Sequence, residues 1–322
     1  MVNGESLRVV FFGTPQFAVP TLEALLASHH TVVGVVTQPD RPRGRGQKLS
    51  DAPVKTCALA ARLPILLQPH SLKDDVFLLA LAAMKSDIGV VAAYGKILPD
   101  VVIQTPRLGM INVHASLLPR YRGAAPIHRA VIAGDRETGV TIMRVVKALD
   151  AGPMIAKRAR PILDDETSEE VERGLAEIGA ALLVQTLDQI AAGTAPEVPQ
   201  ADAEVTYAAR IVKDDGIVDW GRPAVAIHNQ IRGLYPWPHA FSYLNGDRII
   251  LRSARVMAPG PLTVVSAPGT VLHAHGDELT VATGFGAIAL NEVQREGKRP
   301  TTAREFLAGY PVAQGDRFLP HP

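Results

Sequence analysis

Along the amino-terminal part of the chain, apolar residues come in short, nearly unbroken runs rich in β-branched and aromatic side chains. Longer stretches of helical period separate them. Residues 7–14 (LRVVFFGT), 31–38 (TVVGVVTQ), 64–68 (PILLQ), 87–95 (DIGVVAAYG), 109–116 (GMINVHAS) and 138–146 (TGVTIMRVV) are predicted strands. Between them, AVPTLEALLASH, DAPVKTCALAARL, LKDDVFLLALAAMK, LPDVVIQT and APIHRAVIAG read as helices. Strands that are apolar on both faces and alternate with helices predict an α/β fold. Its core would be a Rossmann-like, mostly parallel sheet with helices on both faces. In such open sheets ligands gather at the carboxyl ends of the strands.

A helix from about Ser168 to Ala192 follows, its start marked by the Thr-Ser-Glu-Glu run that caps a helix and sets acid against its dipole. The stretch 193–204 (GTAPEVPQADAE) loses apolar periodicity and gains proline, as a linker does. Beyond it come short runs with turn signals, including Asn245-Gly246 between two of them, which predict a smaller OB-like antiparallel β-barrel. The expected organisation is therefore a catalytic domain over 1–192, a linker over 193–204 and a barrel over 205–322. A chain of 322 residues has room for two such cores.

Charge removes some classes of partner. Lys and Arg number 33 against 32 Asp and Glu, so no global field marks a nucleic-acid or membrane binder, and any such partner must meet a local patch. Charges also nearly balance from Glu204 onward. The single cysteine, Cys57, cannot form an internal disulfide and sits in an apolar helical run, which reads as packing in a reducing compartment. The start has no basic segment followed by an apolar one, and no uncharged apolar run is long enough for a bilayer. A soluble, cytoplasmic chain is expected.

Candidate chemistry concentrates in MINVHAS. Apolar Ile111 and Val113 alternate with Asn112 and His114, so on an extended strand the carboxamide and imidazole share one face near the carboxyl end. An asparagine amide can hold a developing oxyanion, and a histidine can move a proton at neutral pH. The pair suits attack on a carbonyl; a core pair satisfied by backbone is the other reading. No activated nucleophile accompanies it, since Ser116 lacks the Gly-x-Ser-x-Gly elbow and Cys57 lacks activating neighbours, so the attacking group would come from the substrate. Asp150 follows the last predicted strand, in a turn beside Gly152 and Pro153, and is open to two readings: turn former or catalytic acid. That strand is read as parallel, so its turn is expected at the carboxyl edge as well.

These stretches carry a resemblance. NVHASLLPRYRGAAPI, TGVTIMRVVKALDAGPMI, FFGTPQFAVPTLEALL and VVTQPDRPRGRGQKL, with VKDDGIVDW and LYPWPHAF later in the chain, closely resemble the methionyl-tRNA formyltransferases among the 10-formyltetrahydrofolate-dependent formyltransferases. The likeness covers nearly the whole chain. It implies transfer of a formyl group from 10-formyltetrahydrofolate to the free α-amine of methionyl initiator tRNA. The catalytic set it implies is Asn112, His114 and Asp150, and the folate contacts are Ser116, Leu117, Leu118 and Pro119. Ala115 departs from the glycine that relatives often carry. An amino-sugar nucleotide N-formyltransferase or a formyltetrahydrofolate hydrolase would share the folate half.

The resemblance also bears on PDRPRGRGQK, whose Arg41, Arg43, Arg45 and Lys48 flank two glycines. A generic charge run is usually a solvated loop; in this family a basic loop at this place enters the acceptor stem of the tRNA, with Arg45 the expected most sensitive contact. The family implies a monomer. No metal is expected, since no His-Glu-x-x-His or Cys-x-x-Cys spacing occurs, and His29, His30, His273 and His275 read as surface histidines.

Overall fold

The computed structural model describes residues 5–43, 48–258 and 266–322. Two compact units form. One takes the described residues up to Pro126 together with Glu137–Pro161 and Glu172–Ala208; the other takes Ile127–Arg136, Ile162–Val171 and the described residues from Ala209 onward.

The strands of the first unit are β1 (Arg8–Gly13), β2 (Thr31–Val36), β3 (Arg41–Arg43), β4 (Lys48–Ser50), β5 (Leu66–Leu67), β6 (Ile88–Ala92), β7 (Met110–His114), β8 (Arg122–Gly123), β9 (Glu137–Arg144), β10 (Met154–Pro161) and β11 (Tyr207–Ala208). Seven of them make one sheet in the order β10-β9-β7-β6-β1-β2-β5. From β5 to β7 all neighbours are parallel, and β9 runs against both β7 and β10. β1 and β2 are buried at every position but the first, which is why they read as unbroken apolar runs. Helices α1 (Val19–Ala27), α2 (Pro53–Ala60) and α3 (Asp75–Ala83) follow β1, β4 and β5. Asp74 caps α3, its carboxylate accepting from the backbone N–H groups of Val76 and Phe77, and α1 buries Val19, Leu22 and Leu25. A short helix, α4 (Asp100–Ile103), precedes β7.

The expected sheet is therefore present, with one strand added at its edge. β10 carries Lys157, Arg158 and Arg160, and its burial falls away along its length. Charge on an edge strand guards unpaired backbone groups, and it also hides the apolar alternation by which a strand is recognised. The residues 193–208 run back along this unit: Val198 bridges Met154, and β11 pairs in parallel with β8.

In the second unit lie α5 (Pro126–Ala133) from Ile127 onward, the first turn of α6 (Ser168–Ala191), α7 (Ala224–Gly233), and the strands β12 (Ala240–Leu244), β13 (Asp247–Met257), β14 (Val271–His275), β15 (Glu278–Ala282), β16 (Ala287–Arg295) and β17 (Thr301–Thr302), then α8 (Ala303–Gly309). Thr167 and Glu170 cap α6 reciprocally, as Thr302 and Glu305 cap α8. The antiparallel order is β12-β13-β16-β15-β14, with β17 on β16. Asn245 and Gly246, at φ +52° and +83°, make the two-residue turn between β12 and β13. The end of the chain joins the two edges: Arg317 bridges Thr270 beside β14 and Leu319 bridges Tyr243 of β12, giving the barrel-like closure. Ile227 and Ile231 of α7 and Phe306 of α8 fill its core with Leu251, Val281 and Leu290.

Candidate active site

β7 ends at His114, and its period of two puts Asn112 and His114 on one face. In register across the sheet, Asn112 stands opposite Met143 and His114 opposite Thr141 of β9. The Asn112 carboxamide is half-buried and takes no partner among the described residues. His114 is buried, with 5% of its surface exposed. Its Nε2 lies 3.0 Å from the Tyr121 carbonyl oxygen. A carbonyl only accepts, so Nε2 carries the hydrogen and Nδ1 is the open position of the ring.

Nδ1 faces Asp150 Oδ2 at 3.8 Å, a charge-pair distance but longer than a direct hydrogen bond. The same Oδ2 accepts the Gly123 N–H at 2.8 Å. The reason given by the sequence for Asp150 needs correction. β9 is antiparallel to β7, so its own end, Arg144, lies opposite Ile111 rather than at the carboxyl edge. Asp150 reaches His114 because the loop from 145 to 153 folds back. Asp150 sits in the left-handed region at φ +46°, and Gln200 Nε2 donates to both the Asp150 and Gly152 carbonyl oxygens at 2.8 Å. At Gly152 a side chain would run into the Arg144 carbonyl oxygen, so the reversal needs glycine there. Gln200 is in turn held by Arg122 Nε at 2.9 Å. These supports, Tyr121, Gly123 and Gln200, were invisible in the sequence; Gln200 falls in the proline-rich stretch that reads as a linker.

Ser116 to Pro119, one residue beyond the pair, form a tight turn. Ser116 Oγ donates to the Arg120 carbonyl oxygen at 2.7 Å, and Leu118 is buried against Met143 and Met154. Pro119 is buried and Leu117 is half-exposed. Of the basic stretch, Arg41 and Arg43 fall in β3 and Lys48 in β4, which pair as an antiparallel hairpin, Arg43 opposite Lys48. Arg45 lies outside the described residues. Beside this hairpin a cavity of about 340 Å³ opens at the carboxyl ends of β1, β2 and β6, lined by Thr14, Gln38, Asp40, Ser50, Tyr94 and Lys96 among others. Gln38 Nε2 donates to the Tyr94 carbonyl oxygen at 3.1 Å, leaving a buried Oε1 with no donor among the described residues. Hydrogen bonds from Lys55 and Gln68 hold the Asp40 carboxyl below the usual range.

Two other groups take their places outside the site. His30 is not a surface residue: it is buried at the start of β2, where it accepts the Leu7 N–H on Nδ1 and sets Nε2 3.2 Å from Asp188. With His29 it makes the one trio of metal-type donors found among the described residues. Since Nδ1 is an acceptor, Nε2 bears the hydrogen and has no lone pair for a cation. Burial, with Glu23 nearby, pushes the Cys57 thiol up, as suits an inert cysteine.

An amide donor, an imidazole and a carboxylate thus meet at the end of a parallel strand, as the chemistry of acyl transfer to an incoming nucleophile requires. The formyl transferase family model matches residues 7–187, and that of the formyl transferase carboxyl-terminal domain matches residues 210–311. The chain belongs to the formyl transferase family. This formyl transferase is similar to the methionyl-tRNA formyltransferase of Moorella thermoacetica, at 46% identity over 96% of this chain and 98% of the relative. It is 49% identical to that of Ectopseudomonas mendocina, over 92% of each chain. Among solved structures, the N-formyltransferase of Helicobacter canadensis, in complex with folinic acid and dTDP-3-aminofucose, has the same fold, with a TM-score of 0.67 at 17% identity over 90% of this chain and 99% of that one. No helix among the described residues is long and apolar enough to cross a membrane.

Proposed function

We propose that this formyl transferase moves the formyl group of 10-formyltetrahydrofolate onto the free α-amine of methionyl initiator tRNA, for translation initiation in the cytoplasm. The observation that carries the reading is the meeting of Asn112, His114 and Asp150 at the end of β7 in a chain alike along its length to methionyl-tRNA formyltransferases. The folate is a substrate that brings its own one-carbon unit, and the acceptor supplies the nucleophile that the chain lacks.

In the proposed sequence the amine attacks the formyl carbon, forming a C–N bond and a tetrahedral centre with a negative oxygen. The open carboxamide of Asn112 donates to that oxygen. The amine's proton passes to the pair formed by Asp150 and His114 Nδ1; with Nε2–H committed to Tyr121, Nδ1 is the ring atom free to take it. The resulting imidazolium is stabilised by Asp150, supports Asn112 at the oxyanion, and returns the proton to the departing folate nitrogen as its bond to carbon breaks. The products are the formamide and tetrahydrofolate. Ser116 to Pro119 form the wall on which the folate rests, with half-exposed Leu117 offering apolar contact. Arg41, Arg43, Arg45 and Lys48 grip acceptor-stem phosphates, and the residues from Ala209 onward form a further tRNA surface on a monomeric enzyme whose first unit, which includes residues 193–208, does the catalysis.

The test is a three-way incubation with 10-formyltetrahydrofolate: with methionyl initiator tRNA, with an amino-sugar nucleotide, and with buffer alone. Formyl transfer only in the first supports the reading. Transfer to the sugar, or release into buffer, replaces it with one of the two alternatives.

A further inference from the structure

The sheet register places two side chains that the catalytic set does not include in line with His114. Thr141 of β9 stands opposite His114 of β7, and Lys157 of β10 stands opposite Thr141. Paired residues on neighbouring antiparallel strands project to the same face, so all three side chains lie on the side that carries the chemistry. The side chains of both Thr141 and Lys157 turn to the Ser116–Leu118 backbone. The buried Thr141 Oγ1 donates to the Ser116 carbonyl oxygen at 2.7 Å and accepts the Leu118 N–H at 3.1 Å. Lys157 Nζ donates to the Leu118 carbonyl oxygen at 3.2 Å.

We infer that Thr141 and Lys157 are positioning residues that clamp the Ser116–Leu118 backbone and so shape the surface that receives the formyl donor. This rests on the proposed reading that the turn contacts folate. One hydroxyl spans both ends of the turn, and a methyl group in its place leaves a buried carbonyl and a buried N–H without partners. The turn then loses the fixed position that gives Leu117 its half-exposed face. The effect stays local. Asn112 and His114 belong to a paired strand, and Tyr121, which holds His114, is anchored separately through its N–H to Thr206 Oγ1 at 2.9 Å. The clamp therefore acts on donor binding more than on the chemical step.

The experiment measures tetrahydrofolate binding by calorimetry without acceptor, and KM for donor, KM for acceptor and kcat separately. Thr141→Val should weaken tetrahydrofolate binding and raise the donor KM by about tenfold, with the acceptor KM and the kcat at saturating donor within about threefold of wild type. Thr141→Ser, which keeps the hydroxyl, should restore donor binding. Lys157→Met removes one of the three links from an exposed strand position and is safe for folding; it should raise the donor KM by about threefold alone. Donor binding unchanged in both Thr141→Val and Lys157→Met, or a loss shared equally by donor and acceptor, overturns the clamp. A wild-type protein that binds no tetrahydrofolate would instead remove the donor reading beneath it.

Discussion

His114 Nδ1 and Asp150 Oδ2 stand 3.8 Å apart although one closes a strand of the parallel sheet and the other belongs to a loop leaving a strand that runs the opposite way. The loop is pulled back by Gln200 and by the hydrogen bond from Gly123 N–H to Asp150. Asp150→Asn keeps a short side chain that tolerates the left-handed backbone and can still accept from Gly123, while removing the charge. The expected outcome is a fall in kcat of about a hundredfold, the scale of a lost general base, with little change in melting temperature. A kcat within a few-fold of wild type would leave Asp150 only as the former of this turn.

Asn112 is expected to act on the transition state rather than on ground-state binding. Steady-state kinetics of Asn112→Ala should show kcat lower by about two orders of magnitude, with KM for the folate changed by less than about threefold. Loss in KM alone would make the carboxamide a binding group.

Arg41 and Arg43 lie in β3, which pairs with β4, where Lys48 lies. Arg45→Ala should raise KM for the tRNA, and the slope of log affinity against log salt should become shallower by about one unit. Formyl transfer to a minimal aminoacyl acceptor lacking the stem should not change. An unaltered salt slope would place Arg45 in solvent.

Stability should depend on pH through His239. Burial, with Arg252 Nη1 3.3 Å from its Nε2, pushes its pKa down to about 4. The unfolded chain takes up that proton near pH 6.5 and the folded one only near 4, so this contribution is complete above about pH 6.5 and is lost as pH falls toward 4. Its size is about 3 kcal/mol at most. Both tryptophans, Trp220 and Trp237, belong to the second unit, so their fluorescence follows its unfolding alone. His239 has φ +65°, which asparagine tolerates, and His239→Asn should lose less stability than wild type between pH 7 and pH 4. Equal losses would show that the imidazole is solvated in the folded state.

How much of this was legible in the sequence follows from where each signal resides. Fully buried strands such as β1 and β2 announce themselves, because both faces select apolar residues. The shared face of Asn112 and His114 follows from strand period alone. The direction of β9 does not, since a buried strand reads the same whichever way it runs, and Asp150 therefore reaches its partner by a route that only coordinates reveal. β10 escapes notice because Lys157, Arg158 and Arg160 sit where an edge meets solvent. Thr141 and Lys157 gain meaning only from cross-strand register, and Gln200 only from a fold that brings 193–208 back to the sheet. His30 reads as a surface residue because two adjacent histidines look alike in sequence, while one is buried and accepts the Leu7 N–H and the other is exposed.

The central claim is tested most directly by the fate of the formyl group in a single incubation of the protein with 10-formyltetrahydrofolate and methionyl initiator tRNA, followed by mass analysis of the aminoacyl end. Every methionyl group modified should gain one formyl group while one tetrahydrofolate appears. Deformylated folate accumulating beside an unmodified methionyl group, or no loss of formyl from the folate at all, would contradict it.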